Sequence, residues 1–168
     1  SKNVSIKTSC SMNIDMADIK RLLNSENLDV VCIIYKQTND IKEAIKTIVF
    51  DFDEFKKSLI EDLKKCNYTL DNWLKLIDEY VIYVKSLSKE YYRSSQSVPE
   101  NQREHLIKKK PLCKGLKYFN IAPKIDGGKQ RRVQCSININ KMNIDKIITE
   151  GGILFDKEYT KTVISSRR

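Results

Sequence analysis

Histidine is almost missing from this chain: His105 is the single one in 168 residues. A nucleophile–histidine pair would have to be built around it, on a basic stretch whose nearest acid is Glu104. A lone histidine in that setting reads as structural or solvent-exposed. Glycine is also scarce, with five residues in all. The Gly127-Gly128 pair lacks the spacing and the Lys-Ser/Thr of a phosphate-cradling loop. The five cysteines (Cys10, Cys32, Cys66, Cys113 and Cys135) are odd in number and widely spaced, with no C-x-x-C. Metal-ligand spacing is therefore absent, a disulfide framework is not expected, and a reducing, cytoplasmic setting fits best. Cys32, inside the apolar run VVCIIY, reads as a small core residue. No apolar stretch approaches the length of a membrane span, and none reads as a signal peptide. No membrane role is expected.

What the chain does have is a charge that is unevenly placed. The formal net charge is +9, yet residues 1–100 hold 15 Lys+Arg against 16 Asp+Glu, while residues 101–168 hold 16 against 6. A basic half on a near-neutral body is the pattern of a polyanion-binding face. Its centre is residues 118–140, YFNIAPKIDGGKQRRVQCSININ, which read as two strands joined at Asp126-Gly127-Gly128. Paired glycines supply the positive φ angles that tight hairpin turns need. Lys124, Lys129, Gln130, Arg131, Arg132, Gln134, Ser136 and Asn138 cluster around that turn. Lysine and arginine neutralise phosphates, arginine and the amides pair with base edges, and a two-stranded ribbon fits the major groove. An ordinary solvated hairpin tip with edge lysines is the plainer alternative.

One domain is the default at this length. Residues 3–8 alternate as a half-buried strand. Asp15 reads as an N-cap opening a helix to about Asn24, with Ile19, Leu22 and Leu23 as its apolar stripe. Residues 28–35 read as a continuous buried strand. Gln37-Thr38-Asn39-Asp40 forms a turn, and residues 45–52 the partner strand. Helices follow over about 53–65 and 70–87; in the second, Trp73, Leu74, Ile77, Tyr80, Val81 and Val84 share one side, and Trp73 reads as core. After a polar connector at 88–98, Pro99 suits the first turn of a helix running to about Lys110. A short helix near 142–149 and a strand-like piece after Gly151-Gly152 complete the chain. The expected fold is α/β, a mixed central sheet with flanking helices plus the basic hairpin. Residues 1–87 form the sheet and helix core and 99–140 the basic region. The opening SKNVSIKTS is strand-like from its start and has no initial methionine, so an N-terminal part is expected to lie outside this chain.

The remaining chemistry gathers near the start. Ser5 and Lys7 fall on the same strand face, because side chains alternate with period two. Asp15 and Asp18 follow closely enough to swing back. Hydrolysis of a phosphodiester by a divalent ion requires carboxylates to hold the ion, and a nearby lysine to steady the developing charge. Capping is the structural alternative for both acids.

At these residues the chain resembles a known family. VSIKTSCSMNIDMADIKRLLN, VVCIIYKQT and above all IAPKIDGGKQRRVQCSI look like the C-terminal part of type II restriction endonucleases of the PD-(D/E)xK superfamily, over roughly residues 3–140. The family places an acid two residues before its catalytic lysine, where this chain has Ser5. Some members carry Ser-x-Lys and recruit a carboxylate from the next helix, a little over ten residues on. Asp18 lies eleven residues after Lys7 and fits, while Asp15, eight after, fits less well. The family's first metal-binding acid lies upstream of the lysine strand, and no acid precedes Lys7 here. The resemblance thus implies a restriction-endonuclease-like fold and a Mg²⁺-dependent, site-specific cleavage of double-stranded DNA. It also implies a homodimer, with Lys7, Ser5 and Asp18 at the cleavage centre and Asp18 or Asp15 on the metal. The chain is then incomplete or inactive alone. A non-catalytic nucleic-acid-binding module is the alternative, and a protein-interaction domain meeting an acidic partner is the third reading.

Overall fold

The computed structural model describes residues 1–87, 99–111, 116–125, 131–142, 152–159 and 163–166. They form a mixed α/β structure with two sheets. Strands β1 (Asn3–Ser9), β3 (Leu28–Thr38), β4 (Ile41–Asp51) and β7 (Ile153–Glu158) lie in the order β1-β3-β4-β7, and β8 (Val163–Ser166) also pairs with β4. Among the described strands of this sheet only β1 and β3 run parallel. Strands β2 (Asn13–Asp18), β6 (Arg131–Asn138) and β5 (Phe119–Ile125) make a second, antiparallel sheet in that order. The helices are α1 (Ile19–Leu23), α2 (Phe52–Lys65), α3 (Leu70–Ser86) and α4 (Glu100–Lys109). Among the described residues no helix is long and apolar enough to cross a membrane.

Local chemistry sets most of the boundaries. Asn39 takes a φ of 55°, which asparagine tolerates better than most residues, and this closes the two-residue turn between β3 and β4. Asp51 ends β4 and begins α2, its carboxylate accepting the N–H groups of Asp53 (2.9 Å) and Glu54 (3.3 Å). Asp53 and Glu54 in the first turn and Lys64 and Lys65 in the last match the helix dipole. Thr69 caps α3 by accepting from Asn72 N–H at 3.2 Å.

The core lies between the two sheets and the inner faces of α2 and α3. Phe52, Phe55, Leu59 and Leu63 of α2 and Trp73, Ile77, Tyr80 and Val84 of α3 are buried at three- and four-residue spacing. Each large side chain so buried contributes roughly 1.5–3 kcal/mol. Trp73 is core, as its spacing implies: its ring meets Phe119 edge-on at 5.8 Å and its N–H donates to the Pro111 carbonyl at 3.4 Å. One cluster takes in residues from Ile14 to Met142, so the basic region and the N-terminal sheet share a single interior.

Four details differ from the sequence reading. The segment expected to be a helix opened by Asp15 is strand β2, and α1 begins only after Asp18. Pairing with β6 sets Ile14 opposite Ile137, and both Ile14 and the bulged Met16 are buried. Strand β3 is not uniformly buried: Val30, Cys32 and Ile34 face the core while Val31 and Ile33 are half-buried on the other side. Cys66 is disulfide-bonded, a cross-link the wide cysteine spacing did not announce, while Cys10, Cys32 and Cys135 are free. Finally, the stretch after Gly151-Gly152 forms two strands rather than one. The connector at 88–98, the Asp126-Gly127-Gly128 turn with Lys129 and Gln130, and nearly all of the helix expected at 142–149 lie outside the described residues. Residues Ile139–Lys141 form a 3₁₀ turn just before that stretch.

Candidate functional site

The alternation of β1 turns Ser5, Lys7 and Ser9 inward, half-buried, and leaves Val4 and Ile6 exposed. Lys7 sits opposite Cys32 in the parallel β1–β3 ladder. The chain then reverses through a serine-rich connection, in which the Ser9 hydroxyl donates to Asn13 C=O at 2.9 Å and accepts from Ser11 N–H at 3.1 Å. This brings β2 alongside β1. Between them opens a cavity of about 400 Å³ whose lining includes Ser5, Lys7, Ala17, Asp18, Arg21 and Glu26. Of the expected catalytic residues, Ser5, Lys7 and Asp18 are thus gathered into one concavity.

Asp18 is held in place by its own backbone geometry. Its carboxylate Oδ1 accepts Arg21 N–H at 2.9 Å, which starts α1 and leaves the second oxygen without a hydrogen bond among the described residues. One residue earlier the β2–β6 register shifts between Asp15 and Ala17, and Ala17 adopts a φ of 67°. A left-handed alanine is strained, because its Cβ crowds the following carbonyl. The strain is braced by Asp15, whose Oδ1 accepts Ala17 N–H at 2.7 Å. Asp15 is exposed, lies opposite Ser136 in the second sheet and is not in the cavity lining. It is neither the N-cap nor within the concavity; it holds the bulge that precedes Asp18. Ala17→Gly removes the Cβ clash and is expected to stabilise the fold by about 0.5–1 kcal/mol. The measurement is the urea midpoint at constant m. A midpoint that falls would show that the bulge is not strained by the alanine side chain.

Electrostatics remove two alternative nucleophiles from this region. Burial pushes the Cys32 thiol up to about 12, against a lowering influence from Lys7. Burial likewise pushes Cys135 up to about 12, with Asp15 and Asp18 raising it further and Lys7 opposing. Neither thiol ionises near neutral pH, so neither is activated. Among the described residues no carboxylate lies within ion-pair distance of Lys7, although Asp18 and Glu26 line its cavity.

The donor set suits a hard cation. Oxygen donors predominate in the lining, with Asp18 and Glu26 the carboxylates, and no group of three or more His, Cys, Asp or Glu suited to a metal occurs among the described residues. Mg²⁺ usually keeps several waters and takes one or two protein acids with substrate phosphates.

The basic hairpin leaves the neighbourhood of Asp18. In β6, Val133, Cys135 and Ile137 are buried, whereas Arg132, Gln134, Ser136 and Asn138 are half-buried on the opposite face. Strand β2 runs beside β6 only as far as the Asp18–Gln134 pair, while β5 continues to Ile125–Arg131. Beyond Gln134 the second sheet is therefore a two-stranded ribbon, and Arg132 lies at its root opposite Lys124. The Arg132 Nε is buried without a hydrogen-bond partner among the described residues. Asn138 is structural, donating to Asn13 Oδ1 at 2.7 Å and accepting Lys141 N–H at 3.1 Å. The side chains of Lys124 and Arg131 lie outside the described residues, as do Lys129 and Gln130.

Sequence reasoning did not single out Arg21 or Glu26. Both lie on the crossover between Asp18 and β3, and Arg21 follows Asp18 by one helical turn. That spacing is the signal from which Arg21 was open to inference. Compared with protein-family models, curated proteins and solved structures, the chain matches none of them.

Proposed function

We propose that this chain is a site-specific double-stranded DNA endonuclease that hydrolyses phosphodiester bonds with Mg²⁺, serving restriction of foreign DNA. The fold would then be restriction-endonuclease-like, of the PD-(D/E)xK superfamily. The observation that carries the reading is the cavity between β1 and β2. Ser5, Lys7 and Asp18, the three residues the family resemblance selects, line it together with a second carboxylate, Glu26. The basic ribbon supports the same reading, since it leaves the second sheet at the strand pair that contains Asp18.

On this reading Asp18 and Glu26 would hold the ion. When bound, Mg²⁺ polarises the phosphate and lowers the pKa of the attacking water. Lys7 supplies a positive charge that no neighbouring carboxylate neutralises, available for the negative charge that grows on phosphate oxygens in the transition state. Arg132 and Gln134 would contact the duplex from the ribbon and its base. Cutting both strands of a two-fold site takes two such centres, which calls for a homodimer. A cytoplasmic location follows from the substrate.

Incubating the complete protein with plasmid DNA should give discrete fragments in the presence of Mg²⁺ and none with EDTA. Duplex retained without strand breaks at every Mg²⁺ concentration would instead make this a non-catalytic nucleic-acid-binding module.

A further inference from the structure

We propose that Arg21 is a phosphate-positioning residue of this cavity, holding a backbone phosphate of the strand that reaches Lys7. The inference deepens the nuclease reading and rests on it. Three observations carry it. Arg21 and Lys7 line the same cavity from different elements, α1 and β1. Neither makes an ion pair among the described residues, despite the presence of Asp18 and Glu26 in that lining. The neighbouring Lys20, by contrast, is paired with Asp78. Of two adjacent cations, then, one is neutralised on α3 and the other is left facing the cavity.

The position of α1 is well determined, which is what a positioning group requires. Ile19, Leu22 and Leu23 anchor it in the core, and Asp18 caps it through the N–H of Arg21 itself. At its far end Lys56 Nζ donates to the carbonyls of Leu23 (3.3 Å) and Ser25 (2.8 Å), tying α1 to α2. Arg21 and the carboxylate of Asp18 are thereby held one helical turn apart. With Asp18 and Glu26 engaged by the ion, the two cations of the lining are left to attract an anion. A guanidinium fork grips two phosphate oxygens at once, where an ammonium acts as a point charge. Division of labour follows: Arg21 aligns the phosphodiester, and Lys7 remains free for the reacting oxygens.

The test is equilibrium binding of the complete protein to a mixed-sequence duplex across a salt series, with cleavage measured in parallel. Arg21→Ala should weaken binding roughly tenfold, equally for cognate and unrelated duplexes. The slope of log K against log salt should fall by about one. The melting temperature should not move, because the side chain is exposed. Arg21→Lys should recover the salt slope and leave cleavage slow, since it keeps the charge and loses the fork. Wild-type affinity and slope in Arg21→Ala, alongside wild-type protein that cleaves, would overturn the role of Arg21 and leave the nuclease reading standing. Wild-type protein that neither binds nor cuts duplex overturns both.

Discussion

Lys7→Ala is expected to abolish cleavage by the complete protein while duplex binding stays largely intact. The side chain is inward and half-buried on β1, and it lines the cavity. Its removal takes out a charge placed where the transition state becomes more negative, an effect worth roughly a hundredfold or more in rate. Little stability is at stake, because the ammonium makes no ion pair among the described residues. Single-turnover cleavage beside binding of the same duplex separates the two effects. Cleavage within about tenfold of wild type would remove Lys7 from the reacting centre. Asp18→Asn should lose cleavage too, with its Mg²⁺ dependence shifted, yet keep α1 capped, since asparagine caps as well as aspartate. Asp15→Asn should do less, because an amide oxygen still accepts Ala17 N–H. If Asp15→Asn proves the more damaging, the metal ligand is Asp15 and the bulge has a different purpose.

Arg132→Ala is expected to cost about 1–3 kcal/mol on the cognate site and to relax discrimination at one base pair, as for a bidentate base contact. Strand parity makes the assignment. Val133 and Cys135 are buried, so Arg132 with Gln134 lies on the face away from the core. Position adds to it, because the ribbon is two-stranded only from Arg132 outward and a two-stranded ribbon is narrow enough for the major groove. Ser136 and Asn138 belong to the three-stranded part, where Asn138 already braces Asn13 and Lys141. Arg131→Ala should weaken every sequence alike or chiefly lower stability. Competition between cognate duplex and single-substitution duplexes tests both. Equal losses on all duplexes for Arg132→Ala would assign this side chain to backbone and move readout elsewhere.

Much of the fold could be read locally. The alternation of Val4, Ser5, Ile6 and Lys7 gives a strand with Ser5 and Lys7 on one face. The three- and four-residue spacing of the apolar residues in α2 and α3 gives their buried stripes, and Asn39 with Asp40 gives the β3–β4 turn. The alternation of Arg132 to Asn138 likewise fixes which side chains face the core. These features depend on neighbours a few residues away, so their periodicity is written in the chain.

Residues 13–18 show where local reading stopped. An acid followed by apolar residues at helical spacing is a fair helix start, and for so short a segment helix and strand differ little in intrinsic preference. Long-range pairing with β6 decided it, by burying Ile14 and Met16 and leaving Asp18, not Asp15, to cap α1. The left-handed Ala17 falls at the register shift of this pairing, and Asp18, next in the chain, lines the cavity with Lys7. The sequence by itself determined the charge asymmetry, the strand pair of the basic region, helices α2, α3 and α4 and the common face of Ser5 and Lys7, because each arises from local pattern; that this face turns inward while apolar Val4 and Ile6 are exposed was decided by the tertiary structure. The tertiary structure alone decided that Asp18, Arg21 and Glu26 share a cavity with Lys7, because only the crossover from β1 through β2 and α1 to β3 brings separate short-range patterns to one place.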